Sequence, residues 1–307
     1  MDMPGGGKMP MIGYGTWQAQ DAELEVALDA ALETGYRHID TAYVYENEHV
    51  VGRVLRKWID SGRLAREELF VVTKYLGRSL ERLQLDYVDL YLVHVPFGYK
   101  ERGEDEIHPR DEKGNMLIDT STDHLAIWKE MENQVTAGRV KAIGLSNFNP
   151  RQIERVVENA KIKPANLQVE LHVYMQQREL DEVCRKHNVT MTAYSPLGSR
   201  GMVKIFEMLN ITKELPDLFV NPVVVEIAAR LKRTPAQVLL RHTLQRGIAV
   251  IPKSVTPARM KENFQLLDFE LTEDDVKKLN ELDQGPAARV CDFAFFGGIR
   301  NHPEFPF

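Results

Sequence analysis

Hydrophobic and polar residues follow two alternating patterns along the chain. Short, almost continuously apolar runs are typical of strands that are buried on both faces of a parallel sheet. Between these runs, apolar residues recur every three or four positions, as at Leu24, Leu28 and Leu32, which indicates amphipathic helices. The strand-like runs cover residues 13–17, 36–40, 69–73, 89–95, 140–145, 166–171, 189–194 and 248–251.

Several predicted helices also carry signals at their ends. Asp21 begins the first helix and Gly35 ends it, and Thr272 caps the last one. Residues 234–237 form a capping box with proline at the first helical position. The other clear helical patterns cover residues 47–61, 124–137, 150–160, 177–187 and 257–266, and residues 97–119 and 195–221 are expected to be long loops.

Eight strands that alternate with helices in one chain of 307 residues predict an α/β fold, a single (β/α)8 TIM barrel. We found no linker rich in Pro, Gly or Ser, so residues 1–307 are expected to form one domain with an extra C-terminal helix and tail. A barrel would carry its functional residues at the C-terminal rim of the strands. A doubly wound sheet is the structural alternative.

One connection is too short for a regular barrel. Only residues 75–85 remain to cross between the third and fourth strands, and a crossover with its helix needs at least about 10–12 residues. We therefore predict a chain break between Thr73 and Leu76, most plausibly directly after Lys74, where a mobile loop is absent from the sequence. A continuous chain would instead mean a truncated third helix. A break before Lys74 would assign this lysine to the helix.

Composition limits the class of protein. The hydrophobic content of 43% and the charged content of 27% are typical of a soluble globular protein. A net charge of −6 argues against a dedicated nucleic-acid binder. Cys184 and Cys291 lack a metal-ligand spacing, and neither a secretory signal nor a membrane-spanning run is visible. We expect a cytoplasmic monomer with a small-molecule substrate and without metal, nucleic acid or membrane.

Common nucleotide-binding and hydrolase motifs are missing from the sequence. The string Gly13-Tyr14-Gly15 lacks the third glycine of the Rossmann fingerprint, and no P-loop lysine motif occurs. Residues 144–148 end in phenylalanine where a nucleophile elbow needs glycine, and no His-Glu-x-x-His is present. Hydrolase and metalloprotease functions therefore have no motif support.

Polar residues instead follow the ends of successive predicted strands. Asp40 and Tyr45 follow the second strand, Lys74 ends the third and His94 ends the fourth. In a barrel these ends converge on one rim. A single polar residue of this kind is more often structural, but five strand ends in succession favour a site. The other two ends are those of the fifth strand, with Ser146 and Asn147, and of the seventh, with Tyr194, while Gln168 and Glu170 lie on the sixth strand.

These residue types suit proton donation to a carbonyl group. A free tyrosine, with a pKa of about 10, is a poor acid at neutral pH, and a nearby ammonium lowers that pKa. Tyr45 would then be the general acid, Lys74 would tune it, Asp40 would hold Lys74, and a neutral His94 would orient the substrate oxygen. Tyr43 is the competing candidate for the acid.

This set, with Asp40-x-x-x-x-Tyr45, Lys74 and His94, resembles the catalytic tetrad of the aldo-keto reductases. The likeness is to the aldose-reductase-like branch, and residues 205–221 resemble insect members such as 3-dehydroecdysone reductases. It implies an NADP-dependent oxidoreductase acting on CH–OH groups, which reduces aldehydes or ketones to alcohols. The family spacing favours Tyr45 over Tyr43. A non-catalytic, cofactor-binding member, such as a lens crystallin or channel-associated subunit, is the alternative.

The resemblance also implies a site for NADPH. Residues 251–257, with the cations Lys253 and Arg259 at a helix start, resemble the family segment that binds the adenosine 2′-phosphate, and such a helix start suits a phosphate. By the same resemblance Ser146, Asn147 and Gln168 hold the nicotinamide carboxamide and Tyr194 stacks on its ring. The remaining cofactor residues are Gly15, Thr16, Trp17, Asp40, Ser195, Leu197, Ser199, Ser254, Glu262 and Asn263.

The substrate-facing surface is expected from four strand-end residues, the loop after Pro96 and the C-terminal tail, residues 290–299. The tail residues Phe293, Phe295 and Phe296 precede Gly297-Gly298 and suggest a mobile apolar wall, although a tail packed for stability fits equally well. Val95 stands where many mammalian relatives have tryptophan, so their aldehyde preferences should not be transferred. Arg200-Gly201 lacks the aspartate that aldose reductases carry in the loop over the cofactor. The four strand-end residues are Trp17, Val44, Tyr45 and His94.

Overall fold

A computed structural model describes residues 1–100, 102, 106–107, 109–112, 114–293 and 297–307. Its strands are β1 (Gly13–Gly15), β2 (His38–Asp40), β3 (Phe70–Thr73), β4 (Val88–Val93), β5 (Gly98–Tyr99), β6 (Ile118–Asp119), β7 (Val140–Ser146), β8 (Asn166–Glu170), β9 (Thr190–Tyr194) and β10 (Ala249–Val250). Its helices are α1 (Asp21–Thr34), α2 (Glu48–Asp60), α3 (Leu76–Leu83), α4 (His124–Thr136), α5 (Pro150–Asn159), α6 (Arg178–Lys186), α7 (Met202–Met208), α8 (Pro222–Leu231), α9 (Pro235–Gln245), α10 (Pro257–Phe264) and α11 (Glu273–Asn280).

Eight parallel strands form the barrel in the order β1-β2-β3-β4-β7-β8-β9-β10. An isolated parallel bridge between Ile12 and Val250 closes the ring, and the Val250 N–H donates to the Met11 carbonyl at 2.8 Å. The predicted (β/α)8 barrel is therefore confirmed, and the doubly wound alternative is wrong. β5 and β6 form a small antiparallel pair outside the barrel, within the predicted loop.

The amino end of the barrel is closed by apolar residues. Met3 and Met9 from the N-terminal segment pack with Phe70, Leu90 and other inward-facing strand residues. The Met9 N–H donates to the Met1 carbonyl at 2.9 Å, which folds this segment back on itself. The N-terminal segment thus covers this end, and the candidate functional residues lie at the opposite, carboxyl rim.

The third crossover differs from our expectation. Only Lys74 and Tyr75 separate β3 from α3, and Tyr75 has an extended backbone (φ −164°, ψ 98°) as it enters the helix. The predicted chain break is therefore wrong, and the third helix is truncated to eight residues. Such a helix rises about 12 Å, close to the roughly 13 Å of a four-residue strand, so it can return the chain along the barrel.

A glycine lets the short α3 pack closely on α2. A Cβ atom at Gly52 would lie 2.4 Å from the Arg82 carbonyl oxygen, so only glycine fits at this crossing. Leu76, Ser79 and Leu83 form the buried face of α3. The truncated helix is thus held by direct backbone contact with its neighbour and by burial of these side chains.

The long segment between β9 and α8 also contains structure that the pattern did not predict. α7 lies within it and buries Met202 and Phe206. A 3-10 turn, Leu218–Val220, follows before α8. The predicted capping box at residues 234–237 is present, because the Thr234 hydroxyl accepts from the Gln237 N–H, and Thr272 caps the last helix as predicted by accepting from the Asp275 N–H. No helix in the described part of the chain is long and apolar enough to cross a membrane.

Buried histidines make the fold sensitive to acid. His242 on α9 is buried, its Nε2 lies 2.9 Å from Asn280 Oδ1, and burial lowers its pKa from 6.5 to about 4. Because the unfolded chain then binds the proton more readily, His242 costs stability as the pH falls from about 6.5 to about 4. The buried His38, with Nδ1 at the Pro10 carbonyl and Nε2 without a partner, also has a lowered pKa.

We expect the free energy of unfolding to fall as the pH is lowered from about 6.5 to about 4. His242 alone should account for up to about 3 kcal/mol of this loss. Denaturant unfolding of the wild type and of His242→Gln at neutral and acidic pH would measure this. The variant should lose part of the pH dependence. If the free energy of unfolding fell equally with pH in the wild type and in His242→Gln, the assignment to His242 would be contradicted.

Candidate active site

A buried ion pair lies at the carboxyl rim of the barrel. Lys74 Nζ donates to Asp40 Oδ1 at 2.8 Å and to the Thr41 carbonyl at 3.1 Å. The side chains of Lys74 and Asp40 are only 1% and 3% exposed. Gln168, from β8 across the barrel, donates through Nε2 to Asp40 Oδ2 at 2.6 Å. Residues from three strand ends therefore meet at one carboxylate.

Tyr45 completes this group from the 3-10 turn that follows β2. Lys74 Nζ lies 3.4 Å from the Tyr45 hydroxyl oxygen, so the ammonium can donate to the phenol. The Tyr45 and His94 rings are edge to face, with centroids 5.9 Å apart. Tyr45 and His94 are half-buried, whereas Asp40 and Lys74 are buried. A ligand can thus reach the phenol and the imidazole but not the ion pair behind them.

The pKa of Tyr45 differs from the simple expectation. Burial raises it to about 12, and this effect exceeds the lowering that Lys74 exerts. Burial lowers the pKa of Lys74, but Asp40 and Tyr45 outweigh this effect and together raise that pKa above its usual value. Lys74 therefore acts in the expected direction, but the expected net lowering of the tyrosine pKa was wrong because burial outweighs it.

Tyr43 points to a different environment. Its hydroxyl accepts hydrogen bonds from Arg78 at 3.1 Å and Arg82 at 3.2 Å, both on α3. Its ring packs on Tyr75, with centroids 4.9 Å apart. The structure brings Tyr45 rather than Tyr43 to Lys74.

Four of the predicted cofactor residues form a network beside this group. Asn147 Nδ2 donates to the His94 carbonyl at 2.9 Å and to Ser146 Oγ at 3.1 Å. The Tyr194 hydroxyl donates to Asn147 Oδ1 at 2.8 Å, and the Asn147 N–H donates to the Gln168 carbonyl at 3.1 Å. Ser146, Asn147, Gln168 and Tyr194 are thus brought together at the ends of β7, β8 and β9.

The end of β10 offers an anion-binding surface. Lys253 and Arg259 are exposed, and within the described part of the chain neither forms an ion pair. The surrounding protein lowers the pKa of Lys253 by desolvation, and Lys204 lowers it further, while Glu23 opposes the change. Thr256 precedes α10 without a side-chain cap, so the first N–H groups of this helix are available to a phosphate.

Other members of the predicted cofactor set have structural partners. Glu262 accepts from the Thr234 hydroxyl, and the Tyr14 hydroxyl donates to the Ser254 carbonyl at 2.8 Å. The Thr16 hydroxyl donates to the Asp40 carbonyl at 3.0 Å. A Cβ atom at Gly15 would lie 2.8 Å from the Ile251 carbonyl oxygen. These residues hold the strand ends together whether or not a cofactor binds.

The rest of the set lies along the segment that follows β9 and on α10. Ser195 and Ser199 have left-handed backbones, and Ser199 Oγ lies 3.6 Å from Cys291 Sγ. Leu197 packs against the core, and Asn263 is buried on α10. The three residues that follow β9 thus lie near its carboxyl end, and Asn263 lies in the second turn of α10.

The aromatic tail residue Phe293 faces other aromatic rings. Its centroid lies 5.7 Å from that of Phe97 and 6.0 Å from that of Phe307. Phe295 and Phe296 lie outside the described residues. Trp17, Val44 and Phe293 are half-buried, so they can line an opening while packing against neighbours.

Sequence reasoning missed the role of Glu170. This carboxylate is fully buried and accepts from the Val290 N–H at 2.9 Å and the Cys291 N–H at 2.8 Å. His172 Nε2 lies 3.3 Å from the same carboxylate. Glu170 thus fixes the start of the C-terminal tail to the barrel. A carboxylate within a strand predicted to be buried was the available signal, because a buried carboxylate needs partners.

Comparisons with known proteins agree with this geometry. The sequence profile described as Aldo/keto reductase family matches residues 11–284. The chain is 42% identical over 295 residues to aldo-keto reductase family 1 member A1 of Xenopus tropicalis, covering 91% of this chain and 87% of the relative. The solved structure of the aldose reductase from Schistosoma japonicum superposes with a TM-score of 0.88 and 39% identity, covering 100% of this chain and 98% of that one.

One further relative bears on the length of the chain. Mouse aldo-keto reductase family 1 member D1 is 38% identical over 320 aligned positions, which include 98% of this chain and 94% of the relative. Since 98% of 307 residues is about 301, roughly 19 aligned positions of the relative have no residue here.

Proposed function

The protein belongs to the aldo/keto reductase family, and on that premise we propose that it reduces aldehydes or ketones to alcohols with NADPH as the cofactor. Members of this family are oxidoreductases that act on carbonyl and alcohol groups. The observation that carries the proposal is Lys74, which lies buried between the Asp40 carboxylate and the accessible Tyr45 phenol. In this arrangement the ammonium can stabilise the phenolate that proton donation would leave, which favours an enzyme over the non-catalytic alternative.

The residues at the rim fit a nicotinamide dinucleotide phosphate. The cations Lys253 and Arg259 and the uncapped start of α10 suit the 2′-phosphate. Asn147, Gln168 and Tyr194 would hold the nicotinamide. When bound, NADPH would supply the hydride. The polar network around Asn147 supports this placement, because its amide and the Tyr194 ring are already held in position by hydrogen bonds.

The protein itself would manage the proton. As hydride reaches the carbonyl carbon, negative charge develops on the oxygen, and the Tyr45 phenol donates its proton there. Lys74 stabilises the phenolate left behind, and Asp40 keeps the ammonium charged and oriented. His94, beside the Tyr45 ring, would hold the substrate oxygen. Water then returns a proton to Tyr45.

An assay of the purified protein with NADPH and an aromatic aldehyde tests the proposed function. We expect loss of NADPH absorbance together with formation of the alcohol. NADPH binding without turnover, over a panel of aldehydes and ketones, would favour the non-catalytic alternative. We further propose a cytoplasmic monomer that acts on a small-molecule carbonyl substrate, and size-exclusion chromatography would test the monomer.

The proposed phosphate site gives a prediction about cofactor preference. We expect Arg259→Ala to weaken NADPH binding by roughly 10- to 150-fold, because a charge-assisted contact contributes about 1.5–3 kcal/mol. NADH, which lacks the 2′-phosphate, should bind almost as before. Fluorescence titration with both cofactors measures this. Arg53→Ala, which removes an exposed arginine paired with Glu25, is the control, and equal weakening of NADH and NADPH by Arg259→Ala would contradict the phosphate assignment.

A further inference from the structure

Two arginines meet outside the barrel, between the turn after β2 and the short α3. Arg78 and Arg82, one helical turn apart on α3, both donate to the Tyr43 hydroxyl oxygen, at 3.1 and 3.2 Å. The Arg82 guanidinium also lies over the Tyr43 ring at 4.1 Å, and the Tyr75 ring packs on that ring with centroids 4.9 Å apart. Tyr43 is itself buried. It therefore holds both guanidinium groups at one fixed point.

This arrangement leaves positive charge without a matching anion at Arg82. Among the described residues Arg82 forms no ion pair, and its N–H groups donate only to the phenol. The phenol oxygen is neutral, and like charges one turn apart on a helix repel each other. An oxyanion placed against the two guanidinium groups would relieve that repulsion and accept charge-assisted hydrogen bonds.

A cavity of about 580 Å³ adjoins the same two arginines. His49, Glu81 and Gln84 line the rest of it, and all three are exposed, so a solute can enter from solvent. The volume lies within the range of about 300–1,000 Å³ that is usual for small-molecule sites. Its lining is polar, unlike the mostly apolar lining of most such sites, and this favours a polar ligand.

We propose that Arg78 and Arg82, oriented by Tyr43, form a second ligand site that binds the phosphate group of a small polyol phosphate. Guanidinium groups suit phosphate because their N–H groups form a planar fork, and arginines that are already held in place lose less entropy on binding. The Glu81 carboxylate partly opposes the anion, but with Gln84 it offers acceptors to hydroxyl groups on the rest of the ligand. The site lies apart from the proposed 2′-phosphate site at the start of α10 and does not depend on the proposed function.

The test measures protection of single arginines in the whole protein. Phenylglyoxal modifies accessible arginines, and peptide mass spectrometry gives the modification rate at each one. At about ten times its dissociation constant, glycerol 3-phosphate should slow modification of Arg78 and Arg82 about tenfold, because it leaves only about one site in eleven free. Arg53, which is exposed and paired with Glu25 of α1, should react at an unchanged rate. Sodium chloride at equal ionic strength is the control for screening.

A variant then tests whether the two arginines act together. In Arg82→Gln, glycerol 3-phosphate should protect Arg78 only at concentrations at least about tenfold higher, the loss expected for one charge-assisted contact. In Arg53→Gln the protecting concentration should equal that of the wild type. Unchanged protection of Arg78 in Arg82→Gln would overturn the paired site.

The wild-type protein alone can also refute the proposal, so the test does not depend on how well a variant folds. Modification of Arg78 and Arg82 at the same rate with and without glycerol 3-phosphate would overturn the site. Protection confined to Arg259 would place the anion at the proposed cofactor site and would overturn the second site as well. If inorganic phosphate protected as well as glycerol 3-phosphate, the cavity would contribute nothing, and the assignment to a polyol phosphate would be wrong.

Discussion

Replacing Tyr45 with phenylalanine should lower kcat by about a hundredfold to ten-thousandfold, the usual contribution of a positioned general acid. The phenol is accessible and lies 3.4 Å from the Lys74 ammonium, whereas the rest of the ring packs edge to face with His94. The substitution removes the proton and leaves this packing in place. NADPH affinity should stay within about twofold, because the phenol acts on the substrate.

Steady-state kinetics and NADPH titration of Tyr45→Phe measure these two effects. Tyr43→Phe is the matched control, since it removes a phenol that only accepts from Arg78 and Arg82 in the described structure. That control should retain most turnover. Near-normal kcat in Tyr45→Phe would refute the general-acid assignment, and a large loss confined to Tyr43→Phe would transfer the role to Tyr43.

Replacing Lys74 with methionine should damage both turnover and stability. Removing the ammonium leaves the Tyr45 phenolate without its stabilising charge, so kcat should fall by at least about a hundredfold. It also leaves the Asp40 carboxylate buried with Gln168 as its remaining side-chain donor. Breaking a buried ion pair on one side costs about 3–5 kcal/mol of folding free energy.

A double variant separates the two effects. In Lys74→Met with Asp40→Asn the uncompensated charge is gone, so most of the lost stability should return while turnover stays low. Thermal or denaturant unfolding and kinetics on the single and double variants provide the comparison. Wild-type turnover in a folded Lys74→Met protein would show that this lysine is not the tuner of Tyr45.

The order of the elements could be predicted from the sequence because it depends on local pattern. Apolar runs such as 166–171 and helical spacings such as Leu24, Leu28 and Leu32 depend on residues close to each other in the chain. The capping box at Thr234 is likewise local. The convergence of Asp40, Lys74 and His94 followed from the rule that parallel strand ends share one rim. Their roles came from residue chemistry and from family resemblance.

Contacts between distant parts of the chain decided the rest. The short α3 packs directly against the α2 backbone because Gly52 has no side chain at their contact. α7 forms in a predicted loop because Met202 and Phe206 are buried against Val290 and Cys291, far along the sequence. The pKa of Tyr45 is raised because burial outweighs the effect of Lys74. Burial and backbone approach depend on the packed neighbours of a residue, so the sequence pattern around it does not determine them.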